Sequence, residues 1–222
     1  MTRARRGWTR LVTAGLLAAL AIGPTSARAQ TGSGVAGQAY GASVAVIGAT
    51  QGKTPLAVLD PALGLVQSSL ASLTVAGVLT TGALDATSSG VVGENAATAQ
   101  SRSSVAGVSI LGGVVRAEHV LALASSASNG IRATSNAAGS SILGLVINGV
   151  PMGDVTPAPN TSVNVLGVGT VILNEQVPTG GGPNTSGLTV NMLHVVLKNP
   201  LTGVKTGDII VGSAQSRASF FR

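Results

Sequence analysis

Apolar residues occur along this chain in runs of five to ten, and glycine, asparagine or proline separates most runs from the next. Runs of that length are typical of strands rather than helices. Val, Ile, Leu and Thr dominate them, as expected on a pleated surface. The strands predicted in this way cover residues 43–47, 73–80, 105–111, 114–124, 141–147, 163–166, 170–173, 188–197 and 208–211.

Turn-forming sequences lie between these runs. They are Asp60-Pro61, Ser88-Ser89-Gly90, Asn129-Gly130, Asn148-Gly149, Pro157 to Asn160, Gly180 to Asn184 and Asn199-Pro200. Many short strands without a clear helical period predict an all-β fold, an antiparallel β-sandwich or barrel. A faint similarity between residues 73–89 and 110–126 makes a β-solenoid the alternative. The apolar spacing over residues 62–70 is compatible with a helix, but Gly64 disfavours it.

One hairpin is predicted in detail. Residues 171–173 pair with residues 188–197 through a loop at residues 180–183. Strict alternation divides the second strand into two faces. Val190, Met192, His194 and Val196 would share one face, and Thr189, Asn191, Leu193, Val195 and Leu197 the other. Because both sets are mainly apolar, we expect this strand in the interior of its sheet.

The first 29 residues have the three parts of a secretory signal peptide. Four arginines precede an uncharged stretch of twelve residues (11–22), and Ala27-Arg28-Ala29 forms a small-x-small cleavage site before Gln30. Twelve residues fall short of the roughly 20 that a membrane-spanning helix needs. We therefore predict Sec export with cleavage after Ala29, with the twin-arginine route as the alternative because of Arg5-Arg6. A flexible mature N-terminus (30–42), a single β domain (43–214) and a tail (215–222) would follow.

Removal of the signal changes the charge of the protein. The whole chain has a formal net charge of +6, but five of its 13 basic residues lie in residues 1–29 and all seven acids follow them, which leaves +1. This balance predicts no attraction to nucleic acid or to anionic lipid. The chain has no cysteine, and therefore no disulfide. We expect a neutral surface built from Ser, Thr and Asn.

Two glycine-rich segments approach nucleotide-binding motifs without satisfying them. Gly48 to Thr54 is one residue short of a phosphate-binding loop, and Pro55 follows where a helix is required. Gly32 to Gly37 fits the dinucleotide fingerprint, but no predicted strand precedes it and no predicted helix follows. We interpret the first as a solvated turn and the second as flexible, and we expect no cofactor.

Only His119 and His194 are available for base catalysis or metal binding. Glu118 adjoins His119, but neighbours in a regular strand point to opposite faces, which argues against an acid–base pair. The sequence contains no Gly-x-Ser-x-Gly elbow, although a Ser-His-Asp triad from distant segments stays open. Two histidines 75 positions apart are too few for a zinc site, so we expect no metal.

The acidic residues are scattered singly, without the spacing of a calcium loop. They are Asp60, Asp85, Glu94, Glu118, Asp154, Glu175 and Asp208. Two of them could serve a glycosidase, but the mature chain has no tryptophan for a sugar-binding cleft. We interpret them as solvated turn or rim residues. Asn160 and Asn184 begin acceptor sequons for glycosylation.

Several segments taken in order carry a family resemblance. They are residues 38–44, 139–145 leading to Asn148-Gly149, Pro159-Asn160, and residues 171–176, 188–195 and 208–214. Together they resemble the bacterial choice-of-anchor P family over nearly the whole mature chain. The resemblance implies an exported bacterial domain whose relatives differ in their C-terminal anchoring device, and it brings no catalytic residues. Residues 215–222 contain no sorting motif and no hydrophobic tail, which predicts a secreted or non-covalently surface-associated protein.

The sequence thus favours a non-enzymatic exported domain of structural or adhesive type, for which no catalytic, cofactor-binding or metal-binding residue is assigned. The alternative is an extracellular hydrolase with a site around His194 or His119. A self-associating β protein is a third hypothesis, because strands with so few charges lack the usual protection against edge pairing. The partner itself is not readable from the sequence.

Overall fold

The computed structural model describes residues 32–222, which form a two-layer β structure. The predicted signal peptide and its cleavage site lie outside these residues. The strands are β1 (Gly34–Val46), β2 (Ala49–Val58), β3 (Leu65–Leu70), β4 (Leu73–Val75), β5 (Leu79–Thr81), β6 (Leu84–Val92), β7 (Ala97–Ile110), β8 (Val115–Ser128), β9 (Ala133–Asn136), β10 (Ser141–Ile147), β11 (Val150–Val155), β12 (Thr161–Val165), β13 (Gly169–Thr179), β14 (Thr185–Lys198) and β15 (Lys205–Ser219). A short 3-10 turn, Leu111–Gly113, joins β7 to β8.

The strands build two antiparallel sheets that pack face to face. The first sheet has six strands in the order β12-β13-β14-β15-β1-β2. The second has nine, with a main path β11-β10-β8-β7-β5-β4, while β6 joins β7 to β3 and β9 pairs with β8. The predicted antiparallel sandwich is confirmed, and the solenoid alternative is not adopted. Within residues 32–222, no helix is long and apolar enough to cross a membrane.

Both ends of the domain extend beyond their predicted limits. Residues 34–42, predicted as flexible, belong to β1, which pairs with β15 on one side and β2 on the other. Residues 215–219 complete β15, and Phe220 is buried against Val35 and Leu59. The apolar pattern did not reveal the first half of β1, because small residues occupy much of it. Gly37 is one of them, and a Cβ there would collide with Ser88 Oγ of the opposite sheet.

Other strands also escaped the pattern of apolar runs. The prediction omitted β2, β3, β6, β9 and β11. The segment compatible with a helix contains β3 instead, and the predicted turn at residues 88–90 lies inside β6. In contrast, the Asn148-Gly149 turn is confirmed between β10 and β11, with φ of +49° and +79° that suit these two residues.

Serine hydroxyls fill much of the interior between the sheets. Ser88 and Ser101 hydrogen bond across adjacent strands at 2.8 Å, and Ser126 and Ser216 join the two sheets at 2.7 Å. Ser103 Oγ donates to a backbone carbonyl of the opposite sheet at 2.8 Å. In the described residues, every buried side-chain nitrogen and oxygen has a hydrogen-bond partner. Burial of these hydroxyls therefore avoids the cost of about 1–3 kcal/mol for each unsatisfied polar group.

In the central strands every second residue is buried, and near mid-length this alternation shifts by one residue. In β14 the neighbours Met192 and Leu193 are both fully buried in the same apolar core. In β15 the buried series passes from Ile209 and Val211 to Ala214. Each strand therefore turns alternate side chains inward before the change and the complementary set after it.

These changes fall on one row across the first sheet, which we call the phase-change row. Its members lie opposite one another on four adjacent strands: Asn174, Met192, Gly212 and Gly41. Gly212 and Asn174 have φ of +69° and +51°, in the left-handed region that regular strands avoid. A matching break crosses the second sheet at Gly107 (φ +60°) and Gly144 (φ +58°).

The predicted hairpin is confirmed, but its predicted faces are wrong beyond the phase-change row. Val171 pairs with Val195, and Leu173 pairs with Leu193, so β13 and β14 are adjacent antiparallel strands. The second strand, β14, lies between β13 and β15 in the sheet interior. Strict alternation fails because Met192 and Leu193 both face the core, which places His194 on the outer face.

We predict that Gly212→Ala destabilises the domain by about 2–3 kcal/mol. The alanine would be strained in the left-handed conformation, and its Cβ would also collide with the opposite sheet. A Cβ at residue 212 would lie 2.8 Å from Val120 Cγ1 of the opposite sheet. The matched control is Gly77→Ala, which has φ of +70° but no atom within 4 Å of the new Cβ. We expect the control to lose only about 1 kcal/mol. Urea unfolding of both variants measures the difference, and equal losses would contradict close packing at Gly212.

Candidate functional site

A connected group of polar side chains lies on the outer face of the six-stranded sheet, beside the phase-change row. We call it the His194 cluster. It draws one residue from β1, one from β13, two from β14 and three from β15: Tyr40, Glu175, Asn191, His194, Lys205, Asp208 and Ser213.

His194 is held between two carboxylates. Its Nδ1 lies 3.0 Å from Glu175 Oε2, and its Nε2 lies 2.9 Å from Asp208 Oδ1. The imidazole is largely covered, with 13% of its side chain exposed, while the two carboxylates are 21% and 27% exposed. One histidine on β14 therefore connects β13 to β15 through both ring nitrogens.

Further hydrogen bonds extend this chain in both directions. On one side Asn191 Nδ2 donates to Glu175 Oε2 at 2.7 Å, and Ser213 Oγ donates to Asn191 Oδ1 at 2.7 Å. On the other side Lys205 Nζ lies 2.6 Å from Asp208 Oδ2. The contacts form one uninterrupted line from Ser213 to Lys205.

The phase-change row is the reason that this line exists. Asn191 and His194 are three residues apart, so regular alternation would direct them to opposite faces of β14. The consecutive burial of Met192 and Leu193 turns both polar residues outward. Sequence reasoning missed the cluster because it assumed strict alternation and treated Glu175 and Asp208 as isolated acids. The predicted hairpin was the available signal, since it brings Glu175 near Asn191.

The two contacts of His194 define what its ring can do. A neutral imidazole carries one N–H, so both carboxylates accept a hydrogen bond only when both ring nitrogens are protonated. No ring nitrogen is then left to accept a proton from a substrate. The geometry is that of a connection between strands, in which one ring contacts carboxylates from β13 and β15.

Asp208 is stabilised in its ionised form. Partial burial acts to raise its pKa, but hydrogen bonds from Lys205 and His194 and their charges outweigh it, so the pKa lies below the ordinary carboxyl value. Because the folded pKa is lowered, this contribution to stability is present above the unfolded pKa. It is lost as the pH falls through the folded pKa. The cluster therefore favours the fold at neutral pH and loses this contribution in strong acid.

Tyr40 lies on β1 opposite Ser213, next to the end of the line. Burial raises the pKa of its phenol; a hydrogen bond with Ser213 acts in the opposite direction, and the charge of Glu175 raises it further. Lys53 Nζ lies 5.1 Å from the centre of the ring and also donates to Gln38 Oε1 at 2.9 Å. The neutral phenol is the form that the fold prefers.

The second histidine lies on the outer face of the other sheet. His119 Nε2 is 2.7 Å from Ser104 Oγ, and this serine is 9% exposed. Glu118 also faces outward, since the buried series of β8 passes from Ala117 to Val120. The alternation argument against a Glu118–His119 pair was therefore wrong, yet within residues 32–222 no hydrogen bond joins the two. Among the same residues no carboxylate hydrogen bonds to His119, so Ser104 and His119 form a pair without the third member of a triad.

The remaining predicted positions lie in turns, edges and strands. Gly48 occupies a turn with φ of +85°. The rest of the Gly48 to Thr54 segment belongs to strand β2. Asp60 Oδ1 accepts a hydrogen bond from the Ala62 amide, and Asp154 Oδ1 accepts one from the Gly144 amide. Asp85, Glu94 and Glu118 are exposed. Within residues 32–222, no three His, Cys, Asp or Glu side chains are arranged to hold a metal.

A shallow groove of about 480 Å³ crosses the outer face of the nine-stranded sheet. The polar residues that line it come from β6, β7, β8 and β9: Ser89, Thr98, Gln100, Ser125, Ser126, Thr134 and Asn136. No ionisable residue lines it. Gln100 Nε2 lies 3.2 Å from Ser125 Oγ, so neighbouring strands present a joined row of amide and hydroxyl groups.

The two predicted glycosylation sequons differ in exposure. Asn160 is exposed in a turn with φ of +60°, and Asn184 is half-buried beside β14.

Comparison with known proteins found no matching family model, no matching curated protein and no matching solved structure.

We predict that the phenol of Tyr40 titrates above the ordinary value of about 10 in the folded protein. Tyr40 is the only tyrosine of the chain, so ultraviolet absorbance of tyrosinate reports it alone. Because the folded pKa is raised, its contribution to stability is present below the unfolded pKa and is lost as the pH rises through the folded pKa. The control is the same titration in urea. A folded midpoint at or below the unfolded midpoint would contradict the burial of this phenol.

Proposed function

We propose that this chain is an exported, non-enzymatic domain of structural or adhesive type, related to the choice-of-anchor P family. Residues 30–222 would act outside the cell, either free in the medium or non-covalently associated with the surface. The outer faces of the sandwich, rather than an enclosed active site, would meet its partner.

The proposal that the domain is not an enzyme rests on His194, because both of its ring nitrogens contact carboxylates. A general base must leave one nitrogen free to take a proton. In the His194 cluster, Glu175 and Asp208 take both nitrogens at 3.0 and 2.9 Å. Of the chain's two histidines, this is the one with carboxylate partners, and it connects strands instead.

The neutral groove supports a binding role. Its hydroxyl and amide side chains can donate and accept hydrogen bonds, and the absence of charge along it suits a neutral polar partner such as a glycan or an extended peptide. The four strands that line it are joined through successive antiparallel pairs. A rigid face of this kind binds without reorganisation of its backbone.

One observation favours a second candidate function, an extracellular hydrolase. Ser104 Oγ and His119 Nε2 are within hydrogen-bond distance, as a serine nucleophile and its base would be. Against this function, the serine is 9% exposed, and no carboxylate in the described residues orients the ring through a hydrogen bond. We rank it second for these two reasons.

We expect no turnover of nitrophenyl esters, nitrophenyl glycosides or chromogenic peptides above the buffer rate, and no covalent labelling of Ser104 by a fluorophosphonate. Ser104→Ala and His194→Gln are the matched variants. Labelling or hydrolysis lost in Ser104→Ala but kept in His194→Gln would establish the hydrolase. Activity lost in His194→Gln alone would show that the ring is a base despite its two carboxylates.

We also expect the protein to be recovered outside the producing cell with Gln30 as its first residue, because Ala27 and Ala29 supply the small residues read by signal peptidase. Cell fractionation followed by N-terminal sequencing measures this. Ala29→Leu is the control, since a large residue at that position should block cleavage. Recovery of uncleaved wild-type protein in the cytoplasm would overturn the export proposal without affecting the enzymatic test.

A further inference from the structure

Three hairpin turns project side by side from one end of the six-stranded sheet. They connect β12 to β13, β14 to β15, and β1 to β2. One continuous row of paired residues crosses all six strands just behind them: Val165, Gly169, Leu197, Gly207, Val46 and Ala49. Since neighbouring strands are about 4.8 Å apart, adjacent turns lie about 10 Å apart.

Each turn carries at least one large aliphatic side chain in an exposed position, and the central turn also exposes Val204 at 63%. Leu166 is 98% exposed, Leu201 is 93% exposed and Ile47 is 85% exposed. The three turns, residues 47–48, 166–168 and 199–204, contain no ionisable residue. We call Ile47, Leu166 and Leu201 the apolar tips.

The fold does not require aliphatic side chains at these positions. Each turn depends on a glycine with positive φ, namely Gly48 at +85°, Gly167 at +77° and Gly203 at +70°. Polar turn residues would satisfy the same backbone and would be better solvated. The apolar tips contribute almost nothing to the core, so their chemistry points to something outside the chain.

The chemistry behind the tips indicates which partner fits. Lys198 and Lys205 pair with each other at the base of the central turn. Lys198 Nζ lies 3.2 Å from Thr170 Oγ1, while Lys205 is held by Asp208 and keeps 56% of its side chain exposed. The apolar tips lie at the end of the sheet, and the two ammonium groups lie behind them. In a lipid surface the acyl chains would contact the tips, and the phosphate groups would lie at the level of the lysines.

The spacing of the tips argues for a fluid partner rather than a second folded surface. Single side chains on separate turns about 10 Å apart do not form the continuous, close-packed patch that a protein interface buries. Three separate projections can each displace lipid independently. Both chain termini of the described domain lie at the opposite end, since Gly34 pairs with Ser219 far from these turns.

We propose that the apolar tips insert into a lipid bilayer surface and hold the sandwich end-on to it. The attraction comes from burial of the tips, with the two lysines assisting at phosphate groups. It is therefore compatible with a mature net charge of +1 and should depend little on salt. This inference goes beyond the proposed function, because it concerns a different surface from the neutral groove and holds whatever the groove binds.

Single labelled positions test the proposal, because the chain contains no native cysteine. Leu166→Cys and Leu201→Cys would carry the environment-sensitive dye NBD, with Ile131→Cys as control. Ile131 is 65% exposed and lies at the opposite end of the sandwich, between β8 and β9. On addition of phosphatidylcholine vesicles at physiological ionic strength, emission from both tip positions should shift to shorter wavelength and rise severalfold. Emission from the control should stay unchanged.

A matched pair of triple variants measures the contribution of the tips. Ile47→Ser, Leu166→Ser and Leu201→Ser together should lower the vesicle partition coefficient at least about 30-fold. The control replaces three exposed aliphatic residues at the opposite end, Leu63, Val92 and Ile131, by serine and should change it less than about threefold. Both variants should melt close to the wild type, because all six side chains are exposed.

Three results would overturn the proposal. The first is an unchanged dye spectrum at both tips with vesicles of phosphatidylcholine alone and with added phosphatidylglycerol. The second is an equal loss of partitioning in the two triple variants. The third is a spectral shift that appears without vesicles and grows with protein concentration, since the tips would then bind a second copy of the chain.

Discussion

Close approach of the two sheets at the phase-change row is the constraint on which most of this structure depends. A left-handed residue in β15 lets the strand change the side chains that it buries, and neighbouring strands change at the same row. Gly212 meets the second sheet there, with Val120 directly opposite. Because the central strands change their buried side chains at one level, the strand pairing keeps the same register on both sides of the row.

The row separates two kinds of interior. On the side of the hairpin turns, Val, Leu and Ile side chains form a conventional apolar core. On the side of the termini, small residues and hydroxyls lie between apolar side chains such as Val190 and Phe220, and Ser126 and Ser216 join the two sheets at 2.7 Å. Sheets that meet through Gly, Ala and Ser pack closely, and each hydroxyl compensates its burial with a hydrogen bond. The abundance of serine is thus partly an interior property, not only a surface one.

The same row creates the His194 cluster on the outer face. Its line of hydrogen bonds crosses β15, β14 and β13, so it connects the central strands on the side away from the core. In a polar line of this type each buried side-chain group has a hydrogen-bond partner, which favours one register of the strands over its alternatives. The apolar tips lie beyond one end of this arrangement, and the neutral groove lies on the other sheet. The molecule therefore presents three chemically different surfaces on one rigid frame.

The sequence by itself determined the fold class, the interior position of β14 and the turns at Asn148-Gly149 and residues 180–184. These follow from run length, from apolar residues on both sides of β14 and from residues suited to positive φ. It did not reveal the first half of β1 or the strands whose buried side chains are serine and alanine, since a hydroxyl with a partner in the opposite sheet has no apolar signature. Only the tertiary structure decided which side of each strand faces inward beyond Met192, and so brought Glu175, His194 and Asp208 together. The reason is physical: a strand's alternation is a local rule, whereas the level at which two sheets permit a left-handed residue depends on what packs across from it.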